Sequence, residues 1–205
     1  AEATATTFQT YTITDSDTTG TYTCTLAGTD AADFTASISG KVCTVVWAAA
    51  PDYDSAADDG GNNVYDITLA FSDGTNDLTA QASAVTVTDT NDQTPAASVS
   101  STYTQAEAAS TAWQAFTITD SDTTGTYTCT VAGTDSADFS SSISGKVCTI
   151  AWAAAPDYES PADDGAGNVY DITIAFSDGT NDLTAQTTAV TVTDTNDQTP
   201  AASVS

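Results

Sequence analysis

The chain has 205 residues, of which 28 are acidic and two, Lys41 and Lys146, are basic; it contains no Arg, His or Met, and its formal charge is −26. This balance excludes the cationic footprint that nucleic acid phosphates require and argues against docking on an anionic membrane surface. It also removes the imidazole and guanidinium groups behind most acid–base catalysis and phosphate clamping, while 40% apolar content is enough for packed cores.

In chain order, strand patterns appear at TYTCTL (21–26), KVCTVVW (41–47), VYDITLAF (64–71) and AVTVT (84–88). In each, the pattern alternates every second residue among Thr, Val, Ile and Tyr. Turn-forming stretches separate them (DTTG, AGTD, DDGGNN, SDGTND). No segment carries a helical period, and no run of 18 apolar residues offers a membrane span. The same landmarks then return at an offset of 105: Asp15 becomes Asp120, Cys24 becomes Cys129, Trp47 becomes Trp152 and Asp89 becomes Asp194. Segments 11–100 and 116–205 differ at 14 of 90 positions without insertion or deletion, the mark of a tandem array. Strands at this spacing predict an all-β chain of two β-sandwiches. Trp47 and Trp152, with Phe8 and its counterpart Trp113, are expected in the cores.

Cys24 shares a strand face with Tyr22 and Leu26, and Cys43 with Val45 and Trp47, so both point to one core. One disulfide per repeat follows, Cys24–Cys43 and Cys129–Cys148, read as bridging neighbouring strands. Disulfides imply an oxidising, extracellular compartment, and each loop closure stabilises its repeat by about 3 kcal/mol. Without His or a CxxC spacing, zinc is a poor alternative.

The acids recur in clusters: Glu2 and Glu107; Asp15/Asp17 and Asp120/Asp122 in DSD; Asp52/Asp54 and Asp157/Glu159 in PDY[DE]; Asp73 and Asp178 in FSDG; and Asp89/Asn91/Asp92 and Asp194/Asn196/Asp197 in DTND. Crowded carboxylates need water or a cation, and hard oxygen donors in this number suit calcium. An EF-hand beginning at DSDTTG is rejected, because its twelfth position is Leu26 or Val131 on a strand. Asp58, Asp59, Asp163 and Asp164 read as a solvated loop, and Lys41 and Lys146 as turn residues.

These motifs (xEx, DxD, DxE, a late Asp, then DxNDx before Pro) occur in one order, twice. In that order they resemble the cadherin repeat, particularly its bacterial and archaeal versions. The resemblance covers nearly the whole chain. It implies Greek-key sandwiches of seven strands, a first domain at 1–94, a second at 95–199, and a spare strand at 200–205. It also implies about three calcium ions per domain junction. For the internal junction, the carried-over ligands are Glu2, Asp52, Asp54, Asp89, Asn91 and Asp92, met by Asp120, Asp122 and Asp178. Asp15, Asp17 and Asp73 would face a preceding domain; Glu107, Asp157, Glu159, Asp194, Asn196 and Asp197 would face a following one. Asp54 departs from the motif's Glu, and Gln93 and Gln198 from its last Asn. The adhesive Trp near the N-terminus of classical vertebrate cadherins has no counterpart.

AASVS (96–100) is expected to be the first strand of repeat 2. Repeat 1 then lacks its own first strand, while the same five residues return as Ala201, Ala202, Ser203, Val204 and Ser205. Two readings follow. The C-terminal strand completes the first domain of the next molecule, or the sequence is an excerpt of a long covalent array. Both give a linear chain of sandwiches at a cell surface, partnered head to tail by copies of itself or by flanking repeats. The expected function is a calcium-stiffened fibre or stalk module; the alternative is an adhesion or glycan-binding module. An enzyme is not expected, since the only paired carboxylates already have a cation reading.

Overall fold

The computed structural model describes residues 2, 7–107 and 111–202, and the chain separates into two compact units, Ala1–Thr90 and Asn91–Ser205. Unit 1 contains β1 (Thr7–Thr12), β2 (Thr23–Ala27), β3 (Phe34–Ser39), β4 (Val42–Trp47), β5 (Val64–Ser72) and β6 (Gln81–Thr86). They form two three-stranded antiparallel sheets, β1-β4-β3 and β2-β5-β6. Unit 2 repeats this plan with β7 (Thr102–Ala106), β8 (Ala112–Thr117), β9 (Thr128–Ala132), β10 (Phe139–Ser144), β11 (Val147–Trp152), β12 (Val169–Ser177) and β13 (Gln186–Thr193). Its sheets are β10-β11-β8 and β7-β13-β12-β9, the extra strand β7 lying parallel to β13 from Ala189↔Thr102 to Thr193↔Ala106. The chain is an all-β sandwich fold.

Alternation explains the layers. On β5, Tyr65, Ile67, Leu69 and Phe71 are buried, and on β4 Cys43, Val45 and Trp47 face them. Each fully buried aliphatic chain contributes about 1.5–3 kcal/mol. Aromatic rings close one end of each core: Trp47 lies 4.2 Å from Phe34 and 4.9 Å from Tyr65, as Trp152 does from Phe139 (4.3 Å) and Tyr170 (4.8 Å). Phe8 and Trp113 pack against these clusters as expected.

Three expectations change. The disulfides Cys24–Cys43 and Cys129–Cys148 form, but each joins strands of opposite sheets, β2 to β4 and β9 to β11. Shared inward faces place two cysteines in one core, and in a sandwich that core lies between sheets.

The strand that pairs at the start of repeat 2 is Thr102–Ala106 and not 96–100. AASVS alternates, with Ala97 and Val99 half-buried on the core, but it pairs through a single bridge, Ala96 to Thr119, and forms no ladder. Of the C-terminal copy, Ala201 and Ala202 are exposed and outside any strand, and Ser203, Val204 and Ser205 lie outside the described residues.

Finally, Asp58 and Asp163 are buried rather than solvated. Asp58 accepts main-chain N–H bonds from Asn62 and Asn63, and Asp163 from Gly167 and Asn168, which shapes the ADDG turn.

Candidate metal centre

In unit 1 the turn after β4 carries Asp52 and Asp54, and Glu2 reaches over it. Oxygens of Glu2, Asp52 and Asp54 lie within 4.8 Å of one another. Glu2 is 3% exposed and is held at both ends: its main-chain N–H donates to the Thr88 carbonyl, the Tyr53 N–H donates to Oε2, and Thr90 donates N–H (2.6 Å) and Oγ1–H (2.7 Å) to Oε1. Burial pushes the Glu2 carboxyl up, but these donors outweigh it and hold it below the ordinary value, so Glu2 is an anion. Asp89 stands close enough to act on Glu2 electrostatically.

Unit 2 repeats the arrangement with Glu107, Asp157 and Glu159, again within 4.8 Å. Glu107 accepts from Thr195 and Tyr158, which lowers its carboxyl value. Glu159 moves the other way: burial, then the charges of Glu107, Asp194 and Asp197, push it up. Packed carboxylates here oppose one another's ionisation, the condition that a cation relieves.

The second kind of cluster joins the DSD loop to the FSDG turn: Asp15, Asp17 and Asp73 in unit 1, Asp120, Asp122 and Asp178 in unit 2, each set within 4.8 Å. Local bonds orient the acids. In unit 1, Asp17 N–H and Tyr22 O–H donate to Asp15, and Thr75 and Asn76 N–H to Asp73. These bonds hold both Asp15 and Asp73 below the ordinary value. In unit 2 the DTND residues join this cluster: Asn91 Nδ2 donates to the Asp178 carbonyl at 3.3 Å, Asn181 Nδ2 donates to Asn91 Oδ1 at 3.2 Å, and Gln93 N–H donates to Asp122 Oδ2 at 2.9 Å. Asp122 and Asp178 are fully buried there. Asp92 is exposed and accepts from Gln93 Nε2, as Asp197 does from Gln198. Asn196 is exposed.

Several contributors are silent in the sequence. Lys41 Nζ donates to the carbonyls of Asp15 and Asp17, and Lys146 Nζ to those of Asp120 and Asp122. Both lysines therefore shape the DSD loops. Tyr22, Tyr127, Thr90 and Thr195 orient carboxylates; their recurrence at fixed offsets from the acids was the only signal. Oxygen-only donors in groups of three, carboxylates dominant and neither thiolate nor imidazole available, fit a hard divalent cation such as calcium.

No protein-family model and no curated protein matches the chain. Among solved structures it is similar to human protocadherin-24 EC1-2 (17% identity, TM-score 0.64, 89% of this chain and 85% of that one). It is also similar to the protocadherin gammaB7 EC3-6 cis-dimer structure (20%, 0.62, 86% and 41%) and to protocadherin Gamma B2 extracellular cadherin domains 3-6 (20%, 0.63, 96% and 45%). The chain spans less than half of the latter two. The likeness is one of fold, and that fold is cadherin-like.

Proposed function

We propose that this chain is a calcium-stiffened structural module of an extracellular fibre or surface stalk. Its sandwich modules, 1–94 and 95–199, are joined end to end, and 200–205 leads to the next one. The observation that carries this reading is the pairing of carboxylate triads in each unit, with oxygens within 4.8 Å, in a chain of charge −26. Glu2, Asp52, Asp54, Asp89, Asn91 and Asp92 form one half of a calcium seam, and Asp120, Asp122 and Asp178 the other. Asp15, Asp17 and Asp73, and Glu107, Asp157, Glu159, Asp194, Asn196 and Asp197, are the halves offered to neighbours, whether copies of this chain or flanking repeats. Bound calcium supplies charge neutralisation, about three ions per seam; the protein supplies pre-oriented oxygens.

Two disulfides support an extracellular setting. No helix among the described residues is long and apolar enough to cross a membrane, and the acidic charge is unsuited to nucleic acid. The repeats differ mainly by small swaps such as Leu69/Ile174, which favours spacer duty over a recognition surface.

The test is calorimetry and small-angle scattering of the chain in millimolar calcium and in excess chelator. Calcium raises both melting transitions and narrows the distance distribution to that of a rod. Identical melting and scattering in the two buffers would falsify the proposal.

A further inference from the structure

The two units carry the same groove, and among the described residues only that of unit 2 is filled. In unit 1 a groove of about 650 Å³ runs along the end of β1 and across the FSDG turn, lined by Tyr11, Ile13, Thr14, Tyr22, Phe71 and Leu78 among others. Leu78 is 59% exposed, an apolar side chain with nothing apolar to cover it fully. In unit 2 its counterpart Leu183 packs against the core, and Ile118, the counterpart of half-buried Ile13, is 1% exposed.

The covering segment in unit 2 is PAASVS, 95–100. Ala96 and Thr119 exchange two main-chain bonds of 2.7 Å. Ala97 and Val99 pack on the core. The Gln186 side chain clamps the segment, accepting from Val99 N–H and donating to the Ala97 carbonyl, both at 3.0 Å. In unit 1 every receiving part is present. Thr14 stands where Thr119 does, Leu78 where Leu183 does, and Gln81 where Gln186 does; the Gln81 amide turns back to the Thr79 carbonyl. Two lining positions differ, Thr10 for Ala115 and Tyr11 for Phe116, and both unit 1 residues carry a hydroxyl that tolerates a wet groove better than the apolar side chain it replaces.

We propose that this groove is the acceptor for residues 200–205 of a second copy of the chain. That segment is PAASVS again, identical to 95–100. Its described residues, Pro200, Ala201 and Ala202, are exposed and outside any strand. Ala201 bridges Thr14, the Gln81 amide turns to clamp the main chain around Ala202 and Val204, and Val204 covers Leu78. Such a contact between copies is heterologous and does not close, so it propagates as a fibre. The inference rests on the head-to-tail reading above, and it needs no calcium.

The test uses the whole chain and two variants, Leu78→Asp in the groove and Val204→Asp in the donor, followed by light scattering in calcium and in chelator. Leu78 is largely exposed, so its substitution leaves the fold intact. The wild type gives a ladder of multiples of the chain mass in both buffers. Each variant alone stays single, and their equimolar mixture stops at a dimer, because one intact groove meets one intact donor. A synthetic PAASVS peptide shifts the Leu78 methyl resonances and competes the ladder away, and Leu78→Asp weakens that peptide by about 100-fold.

A ladder that survives both substitutions overturns the proposal, and so does a wild type that stays single. If the chain stays single while the peptide binds, the groove takes such a segment from another source and the second copy is ruled out. Calcium-independent melting with an intact, variant-sensitive ladder defeats the metal reading and leaves this one standing.

Discussion

Lys41 Nζ lies 2.6 Å from the main-chain carbonyl oxygen of Asp15. The chain's two ammonium groups, facing 28 acids, bind the backbone of DSD rather than serving only as counter-ions to its carboxylates. Each also sits 5.2 Å from a tyrosine ring, Lys41 over Tyr22 and Lys146 over Tyr127, and each of those tyrosines donates its O–H to the first Asp of the motif. Lys41→Met removes charge-assisted bonds worth about 1.5–3 kcal/mol. The unit 1 melting transition falls while that of unit 2 stays in place, and Lys146→Met does the reverse. Calorimetry of both variants in chelator checks this; equal, negligible shifts would show the lysines to be passive turn residues.

The disulfides act across the sandwich. Cys24 and Cys43 are 19 residues apart in sequence, with Cα atoms 6.1 Å apart, and they tie β2 to β4, which share no ladder bonds. Reduction lowers the stability of each unit by about 3 kcal/mol without changing the strand content seen by far-ultraviolet circular dichroism. Double substitution Cys24→Ser with Cys43→Ser reproduces the loss in unit 1 alone, measured as the urea midpoint under oxidising conditions.

Strands with clean alternation were legible in the sequence because burial and propensity agreed there. VYDITLAF became β5 and VYDITIAF became β12, each with four inward apolar residues. β3 and β10 were not legible: FTASIS and FSSSIS place small polar groups where a core strand would place branched ones, and both lie at sheet edges where pairing to one neighbour suffices. The first strand of repeat 2 was misplaced by a few residues because Ala97 and Val99 imitate an alternating face while the ladder itself runs through TYTQA. The acidic site was legible as motifs, since each triad is drawn from short stretches with fixed spacing. What organises it was not: Lys41 in SGK reads as a turn residue, yet its Nζ bonds the carbonyls of Asp15 and Asp17, 26 and 24 positions away, a relation that only the fold creates.

Asp30 gives a pH prediction. It is 4% exposed and accepts N–H bonds from Asp59 (2.7 Å) and Asp66 (2.6 Å). Those bonds hold its carboxyl below the ordinary value of 3.8, against the push of burial. A value lower in the folded than in the unfolded state means that the contribution is complete above the unfolded value and disappears as pH falls through the folded one. The stability difference between wild type and Asp30→Ala in unit 1 is therefore flat near neutrality and shrinks only below pH 3.8. Asp59→Ala, which removes an exposed carboxylate but keeps the donating N–H, leaves the profile close to wild type. Denaturant midpoints taken across the acid range decide it; a difference that is constant to the lowest pH rules out a charged acceptor at Asp30.

Asp178 separates a ligand from a turn cap. Its carboxylate is fully buried, pushed up by burial but drawn below the ordinary value by the N–H groups of Asn181 and Thr180. An oxygen of Asp178 lies within 4.8 Å of others on Asp120 and Asp122. Asp178→Asn keeps an acceptor oxygen for those N–H groups but removes the charge that they favour, so in chelator the variant is modestly less stable than the wild type. In calcium the loss is larger, because one anionic ligand is gone and affinity falls on the order of tenfold. Melting of unit 2 in the two buffers, with a calcium titration of each protein, reads the difference between the two losses. A substitution that costs the same stability with and without calcium would mean that Asp178 only caps its turn, and the crowding around it would need a cause other than a cation.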